Sequence, residues 1–252
     1  MNDVLPLSAF GLLLVRPGML VVASPVFGGS FVPPPVRIGL TVAVAALLLP
    51  AVEVPAALSS LGLVVVTAGE VVIGLALALA VRALQAGAEL AGHLAGFQAG
   101  MSYAALVDPQ SGARNSVVAA LYSSLALLAF FGINGHHALL RALAQSYRVL
   151  PPGTWGLARG DAGDVAAMLG LVFLLGAQLA MPVVIVLLVL EIVLGLLSRA
   201  APALNFMILG FPVRVAVGLL TLAVGITMVP DIVARFAPAA VDGAMRLIGT
   251  AR

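Results

Sequence analysis

The chain has no cysteine and no lysine among its 252 residues. Without cysteine, a disulfide framework and a thiolate metal site are both excluded. Without lysine, every strongly basic side chain is an arginine, a bias that a GC-rich genome explains along with the abundance of Ala, Gly, Val, Leu and Pro. Charge of either sign is scarce at 9%, and the formal net charge is only +2. The arginines are scattered, so nothing points to nucleic acid. One Trp and three Tyr make a thin aromatic belt. There is no nucleophile–base arrangement, no phosphate-binding Gly-Lys loop and no H-E-x-x-H, so an enzyme is not expected and no cofactor is implied. With three histidines in all, and the adjacent His136 and His137 pointing to different helix faces, a metal site is not expected either. MNDVLPLSAF carries an aspartate and no basic n-region, so a cleaved signal peptide is not expected.

What the chain does have is apolar residues, 62% of the total, with a mean hydropathy of +1.20. A soluble domain is about half apolar and a quarter charged. The sequence therefore reads as one all-α integral membrane domain over residues 1–252. A simple span needs about 20 apolar residues, and several segments depart from that rule. Val4–Val32 holds Arg16-Pro17 at its middle and Pro25 later, and Phe27-Gly28-Gly29 with Pro33-Pro34-Pro35 makes a rigid corner. Ile38–Val52 is short. Ala56–Val81 is a good span with Glu70 inside it. Ser116–Gly135 is uncharged. His136 to Leu150 is amphipathic, and Pro151–Asp164 is the plainly hydrophilic loop. Val165–Ser198 would run about 51 Å as a straight helix, too long for a core of about 30 Å, so Pro182 should kink it or turn it back. Asn205–Val229 is a further span, and Asp231–Arg252 an amphipathic tail. The arginines do not sort into alternate loops, so the positive-inside rule gives no orientation; a chain packed mainly against other subunits need not show that bias.

The most distinctive stretch runs from Gly87 to Asn115. Positions 88, 92, 96 and 100 are Ala, Gly, Gly and Gly, and positions 87, 91, 95 and 99 are Gly, Ala, Ala and Ala. Residues four apart share a helix face, so Gly87, Gly92, Gly96 and Gly100 lie on two stripes almost without side chains. Each glycine costs roughly 1 kcal/mol in a helix, which makes sense where another helix approaches closely. Glu89 and His93, also four apart, are placed to pair. Beyond Gly100 the pattern breaks. Met101, Tyr103 and Leu106 are large, and Asp108-Pro109 should stop the helix. A polar run through Gln110, Ser111, Gly112, Arg114 and Asn115 follows. Non-helical backbone at membrane depth survives only buried in protein or lining a water-filled cavity; otherwise the run is a surface loop.

Intramembrane charges are costly and usually functional. Arg16, Glu70, Glu191 and Arg214 qualify. They are either inter-helix pairs or, in a transporter, proton or ion carriers beside broken helices. Pro35-Val36-Arg37-Ile38 and Pro212-Val213-Arg214-Val215 each open an apolar segment with an arginine in its first turn, where the helix dipole disfavours a cation. Each arginine should therefore snorkel to the interface or meet an acid such as Glu70 or Glu191.

A set of motifs runs in order along the chain: Arg16-Pro17-Gly18-Met19, Pro25-Val26-Phe27-Gly28 and Val32-Pro33 through Arg37, then Gly69-Glu70-Val71-Val72-Ile73-Gly74 and Ala86-Gly87. Gly96 through Pro109, Gly135-His136-His137, Ser146-Tyr147 and Ala180-Met181-Pro182 follow. Leu194-Gly195-Leu196-Leu197-Ser198-Arg199 with Pro202, and Gly210-Phe211-Pro212, complete it. This ordered set resembles the flagellar biosynthetic protein FliR family of export-gate proteins. Ala203 departs from the pattern, where a glutamine is expected. The resemblance covers essentially the whole chain. It implies Pro/Gly-interrupted helices and helical hairpins packed into a multi-subunit complex with FliP and FliQ subunits and other export-apparatus membrane proteins. The complex sits in the bacterial inner membrane at the flagellar basal body, and unfolded flagellar export substrates pass through its centre. It implies a plug or gate in the 100–115 loop, formed by Gly100, Met101, Ser102, Tyr103, Leu106, Asp108, Pro109, Gly112 and Asn115. A hydrophobic constriction of this kind blocks ions by dewetting. An injectisome homologue of the same apparatus and an ion-coupled small-solute transporter are the alternatives, with an intramembrane enzyme a distant third.

Overall fold

The computed structural model describes residues 5–29, 31–52, 59–101, 116–153, 162–200 and 206–249. Among these residues there is no strand; the chain is helical almost throughout. In order, the helices are α1 (Leu5–Ala23), α2 (Pro25–Gly28), α3 (Pro34–Leu48, closed by a 3₁₀ turn Leu49–Ala51), α4 (Ser60–Gln98), α5 (Val117–Gly132), α6 (Gly135–Val149), α7 (Ala162–Ala200), α8 (Phe206–Ile226) and α9 (Val229–Leu247). Three helical segments, Pro34–Ala51, Ser60–Gln98 and Ala162–Ala200, are long and apolar enough to cross a membrane. The count rises to five if the bent pairs α5–α6 and α8–α9 each count as one span.

Several boundaries differ from those read in the sequence, each for a local reason. The segment that looked short gains its length from the proline corner: Pro34 starts α3 at a position where its missing N–H costs nothing, and Pro34–Ala51 reaches 18 residues. The span around Glu70 and the small-residue helix are one rod of 39 residues, about 58 Å long. The residues that join them, Arg82 to Ala86, include no helix breaker. α7 likewise runs for 39 residues with Pro182 inside it. The proline does not turn the chain back, because one lost hydrogen bond does not end a helix with apolar turns on both sides.

The chain forms two compact units. The first comprises Met1–Ala83, Phe131–Gly170 and Ala237–Arg252, and the second Leu84–Phe130 and Leu171–Phe236. In the first unit, α6 buries Leu139, Ala142, Leu143, Ser146 and Tyr147, the i, i+3, i+4, i+7, i+8 stripe of an amphipathic helix. They join a core that includes Leu13, Leu20, Ile73 and Leu77. α6 begins after Asn134, whose φ of 58° is left-handed; asparagine is among the few residues that tolerate that region. In the second unit the core is built on Tyr122, Leu175, Leu179, Val183 and Leu187, all essentially inaccessible.

Candidate functional site

Two groups of residues carry the chemistry, one in each unit. In the first unit Arg16 and Glu70 form a bidentate ion pair. The arginine Nε donates to Oε2 at 2.7 Å and Nη2 donates to Oε1 at 2.9 Å. Both residues are buried, at 0% and 1% exposure. The rest of the guanidinium is engaged as well: Nη1 donates to Ser146 Oγ at 2.8 Å and Nη2 to the Leu150 carbonyl at 3.0 Å. The Tyr147 ring stacks on it with the guanidinium carbon 4.0 Å from the centroid. A buried charge stands only where it is paired and hydrogen-bonded, and this one meets both conditions.

The position of Arg16 follows from its neighbours. Pro17 has no N–H, so the carbonyl four residues back, Leu13, loses its helical donor. The Tyr147 hydroxyl donates to that carbonyl at 3.2 Å. On the facing helix Glu70 and Gly74 are four apart and so share a face. A Cβ at Gly74 would come within 2.6 Å of the Arg16 carbonyl, so the glycine lets α4 reach α1 closely enough for the carboxylate to meet the guanidinium. Gly74, Ser146 and Tyr147 are in the motifs read from the sequence, but that reading gave them no role. The E-x-x-x-G spacing was the one available signal. The other partners lie about 130 residues away in sequence, and no local pattern connects them.

In the second unit the small-residue stripes are buried throughout: Gly87, Ala88, Ala91, Gly92, Ala95, Gly96, Ala99 and Gly100. The glycines face several helices. A Cβ at Gly87 would strike the Leu175 side chain of α7, and one at Gly92 would strike the Ala119 backbone of α5. At Gly96 it would come 2.9 Å from Ser116 Oγ. On α8, a Cβ at Gly218 would meet the Ala99 side chain at 2.8 Å. Glu89 does not pair with His93. It accepts from Ser123 Oγ of α5 at 3.2 Å, and Gln85 Nε2 donates to the same hydroxyl at 2.9 Å; α5 supplies a nearer polar partner than the next turn of the same helix.

The helix stops at Gln98, ten residues before Asp108-Pro109. Gly100 is left-handed, with φ 78°. Its N–H donates to the Phe97 carbonyl, and the Met101 N–H donates to the Gly96 carbonyl, each at 3.0 Å. These are the 5→2 and 6→1 bonds of a Schellman cap, with glycine at C′. Gly100 therefore ends the stripe rather than continuing it. Met101, half-buried, is the last residue described before residues 102–115. Ser102, Tyr103, Leu106, Asp108, Pro109, Gly112 and Asn115 lie outside the described residues. Beside the cap, a Cβ at Gly100 would come 3.2 Å from the Phe211 ring and 3.9 Å from Arg214 Cδ. Arg214 pairs with Glu191 at 2.8 Å, and both side chains are partly exposed. Arg37, in the matching motif, meets no acid among the described residues. Its Nε donates to the Val32 carbonyl and its Nη2 to the Gly29 carbonyl, each at 2.9 Å.

Apolar helices of membrane-spanning length, arginine–glutamate pairs on them and a glycine-lined packing seam define an all-helical membrane protein. The family described as "Bacterial export proteins, family 1" matches residues 7–238. The flagellar biosynthetic protein FliR of Escherichia coli (strain K12) is 33% identical over 89% of this chain and 84% of its own length. FliR of Pectobacterium carotovorum is 32% identical over 86% and 83%, and FliR of Bacillus subtilis is 29% identical over 91% and 90%. The chain belongs to this bacterial export family, that of the flagellar biosynthetic protein FliR. It is a subunit of a flagellar type III export apparatus.

Proposed function

We propose that this chain is a core subunit of the flagellar type III protein export gate in the bacterial inner membrane, at the flagellar basal body. It assembles with FliP and FliQ subunits around a channel for unfolded flagellar subunits, and its 100–115 loop serves as the plug. The observation that carries this reading is the left-handed cap at Gly100 on a buried small-residue helix. The glycine stripes give that helix close neighbours, and the cap ends it just before the loop. Met101 offers an adaptable apolar side chain at the root of the loop. In this reading Arg16–Glu70 braces the helices of the first unit and Arg214–Glu191 those of the second, and neither pair is an ion carrier.

The test is deletion of Ala104–Ala113 in cells carrying the full apparatus. Membrane leak to small ions should rise while the complex still assembles with its partner subunits. Unchanged conductance in an assembled complex would remove the plug from the proposal.

A further inference from the structure

The corner between α1 and α3 is held by two arginines that meet no acid among the described residues. From one side Arg82 Nε donates to the Ala23 carbonyl at 2.9 Å. From the other, Arg37 Nη2 donates to the Gly29 carbonyl and its Nε to that of Val32. The two anchoring points, Ala23 and Gly29, are separated by the single turn of α2. Carbonyls orient a guanidinium without neutralising it. Neither arginine has a carboxylate partner among the described residues, and each keeps terminal N–H groups free.

Both arginines also line apolar grooves. Arg37 lies at the edge of the furrow between α1 and α3, whose walls are Leu14, Gly18, Met19, Val22, Thr41 and Val42. Arg82 lies at the edge of a second groove, walled by Ala23, Val72, Leu75, Leu79 and Leu247. The helix that forms one wall of the first groove is apolar over Pro34–Ala51, and only 6% of it is buried. The surface thus pairs two apolar grooves with positive charge that no described carboxylate neutralises, at one corner.

We propose that this corner binds an anionic phospholipid, its headgroup phosphate held by Arg37 and Arg82 and its acyl chains lying in the two grooves. The chemistry favours an amphiphile over a protein helix. Across the first furrow a Cβ added at Gly18 would just meet the Thr41 methyl at 3.5 Å, so the two helices are about one methyl group apart there. The furrow is therefore a slot between closely spaced helices, suited to a hydrocarbon chain; a helix about 10–12 Å across would ride over it. Guanidinium forks match phosphate oxygens in geometry as well as charge, and basic pockets between membrane helices bind anionic headgroups. This inference does not depend on the plug.

The experiment is native mass spectrometry of the full chain, co-purified with its partner subunits in a non-ionic detergent and titrated with dioleoylphosphatidylglycerol or dioleoylphosphatidylcholine. The wild type should retain the anionic lipid about tenfold better than the zwitterionic one. The R37Q/R82Q double variant should lose that preference, and R37K/R82K, which keeps the charge without the fork, should retain only part of it. Val42→Trp, at an exposed groove position, should lower retention of both lipids while leaving the preference. Glycerol phosphate, the headgroup without chains, should not compete. The proposal is overturned if R37Q/R82Q keeps the wild-type preference, if the wild type shows none, or if glycerol phosphate displaces the lipid at equal concentration. It is equally overturned if cross-linking from positions 38 and 42 captures a partner subunit across the groove.

Discussion

At the scale of single residues, Arg16 governs the first unit because its charge is sealed from water. Removing one partner of a buried pair leaves the other uncompensated, at a cost of about 3–5 kcal/mol. Glu70→Gln and Arg16→Met should each sharply reduce the amount of folded chain, measured as thermal stability in detergent. The double variant Arg16→Met/Glu70→Leu should lose much less than the sum, because it leaves no stranded charge. A second cycle tests the proline repair. Tyr147→Phe removes the donor to the Leu13 carbonyl and should cost about 1 kcal/mol. In a Pro17→Ala background, where the backbone N–H returns, the same change should cost clearly less; equal costs in both backgrounds would mean that the hydroxyl is not substituting for the missing donor. The sequence marks Arg16 and Glu70 as unusual, since charges are rare in such a chain. It does not reveal which acid meets which base, because Ser146, Tyr147 and Leu150 join the cluster only through tertiary packing.

At the scale of elements, the glycines divide by what surrounds them. A Cβ at Gly92 would collide with the backbone of Ala119, which cannot move aside without shifting α5. Gly170, inside α7, has nothing within 4 Å of its Cβ position. Gly92→Ala should therefore destabilise by about 1–3 kcal/mol through overpacking. Gly170→Ala should stabilise by up to about 1 kcal/mol through helix propensity. Opposite shifts in the unfolding midpoint would establish the difference. Gly100→Ala should cost about 1–2 kcal/mol, because an L-residue is forced into the left-handed region. The four-residue spacing of the stripes was legible in the sequence, as were the amphipathic α6 and the α2 corner. The end of α4 was misread because Gly100 fits two patterns at once, the next step of a stripe and the C′ residue of a cap. Periodicity favours the first, while the backbone bonds from Gly100 and Met101 decide for the second. Proline misleads in the opposite direction: Pro17, Pro182, Pro212 and Pro238 all lie within helices.

At the scale of the whole molecule, much of the apolar surface is unburied within the chain. Along α7 the exposed side chains include Leu169, Phe173, Ile185, Val189, Ile192 and Leu196, and only 22% of its spanning window is buried. Lipid or neighbouring subunits must cover such a face. Val189→Arg puts a charge at an exposed apolar position on a spanning helix, with an insertion cost of about 2.5–3.5 kcal/mol at a helix centre. It should deplete the chain from carbonate-washed membranes. Gln145→Arg, on the exposed face of the amphipathic α6, should leave the membrane fraction unchanged. Composition alone made the membrane class legible. The division into two compact units was not, because the long helix α4 contributes residues to both.

The closure of the Arg16 cluster also sets an order of events during synthesis. Glu70 follows Arg16 by 54 residues, Ser146 by 130 and the Leu150 carbonyl by 134. At about 5–20 residues per second, the nascent first helix carries an unmatched cation for several seconds until Glu70 is made, and an open Leu13 carbonyl and unfilled guanidinium donors for on the order of ten seconds until residues 146–150 follow. During the first interval the growing chain depends on the insertion machinery or on water to shelter Arg16, so a pause or truncation before Glu70 strands the charge and exposes the fragment to membrane quality control.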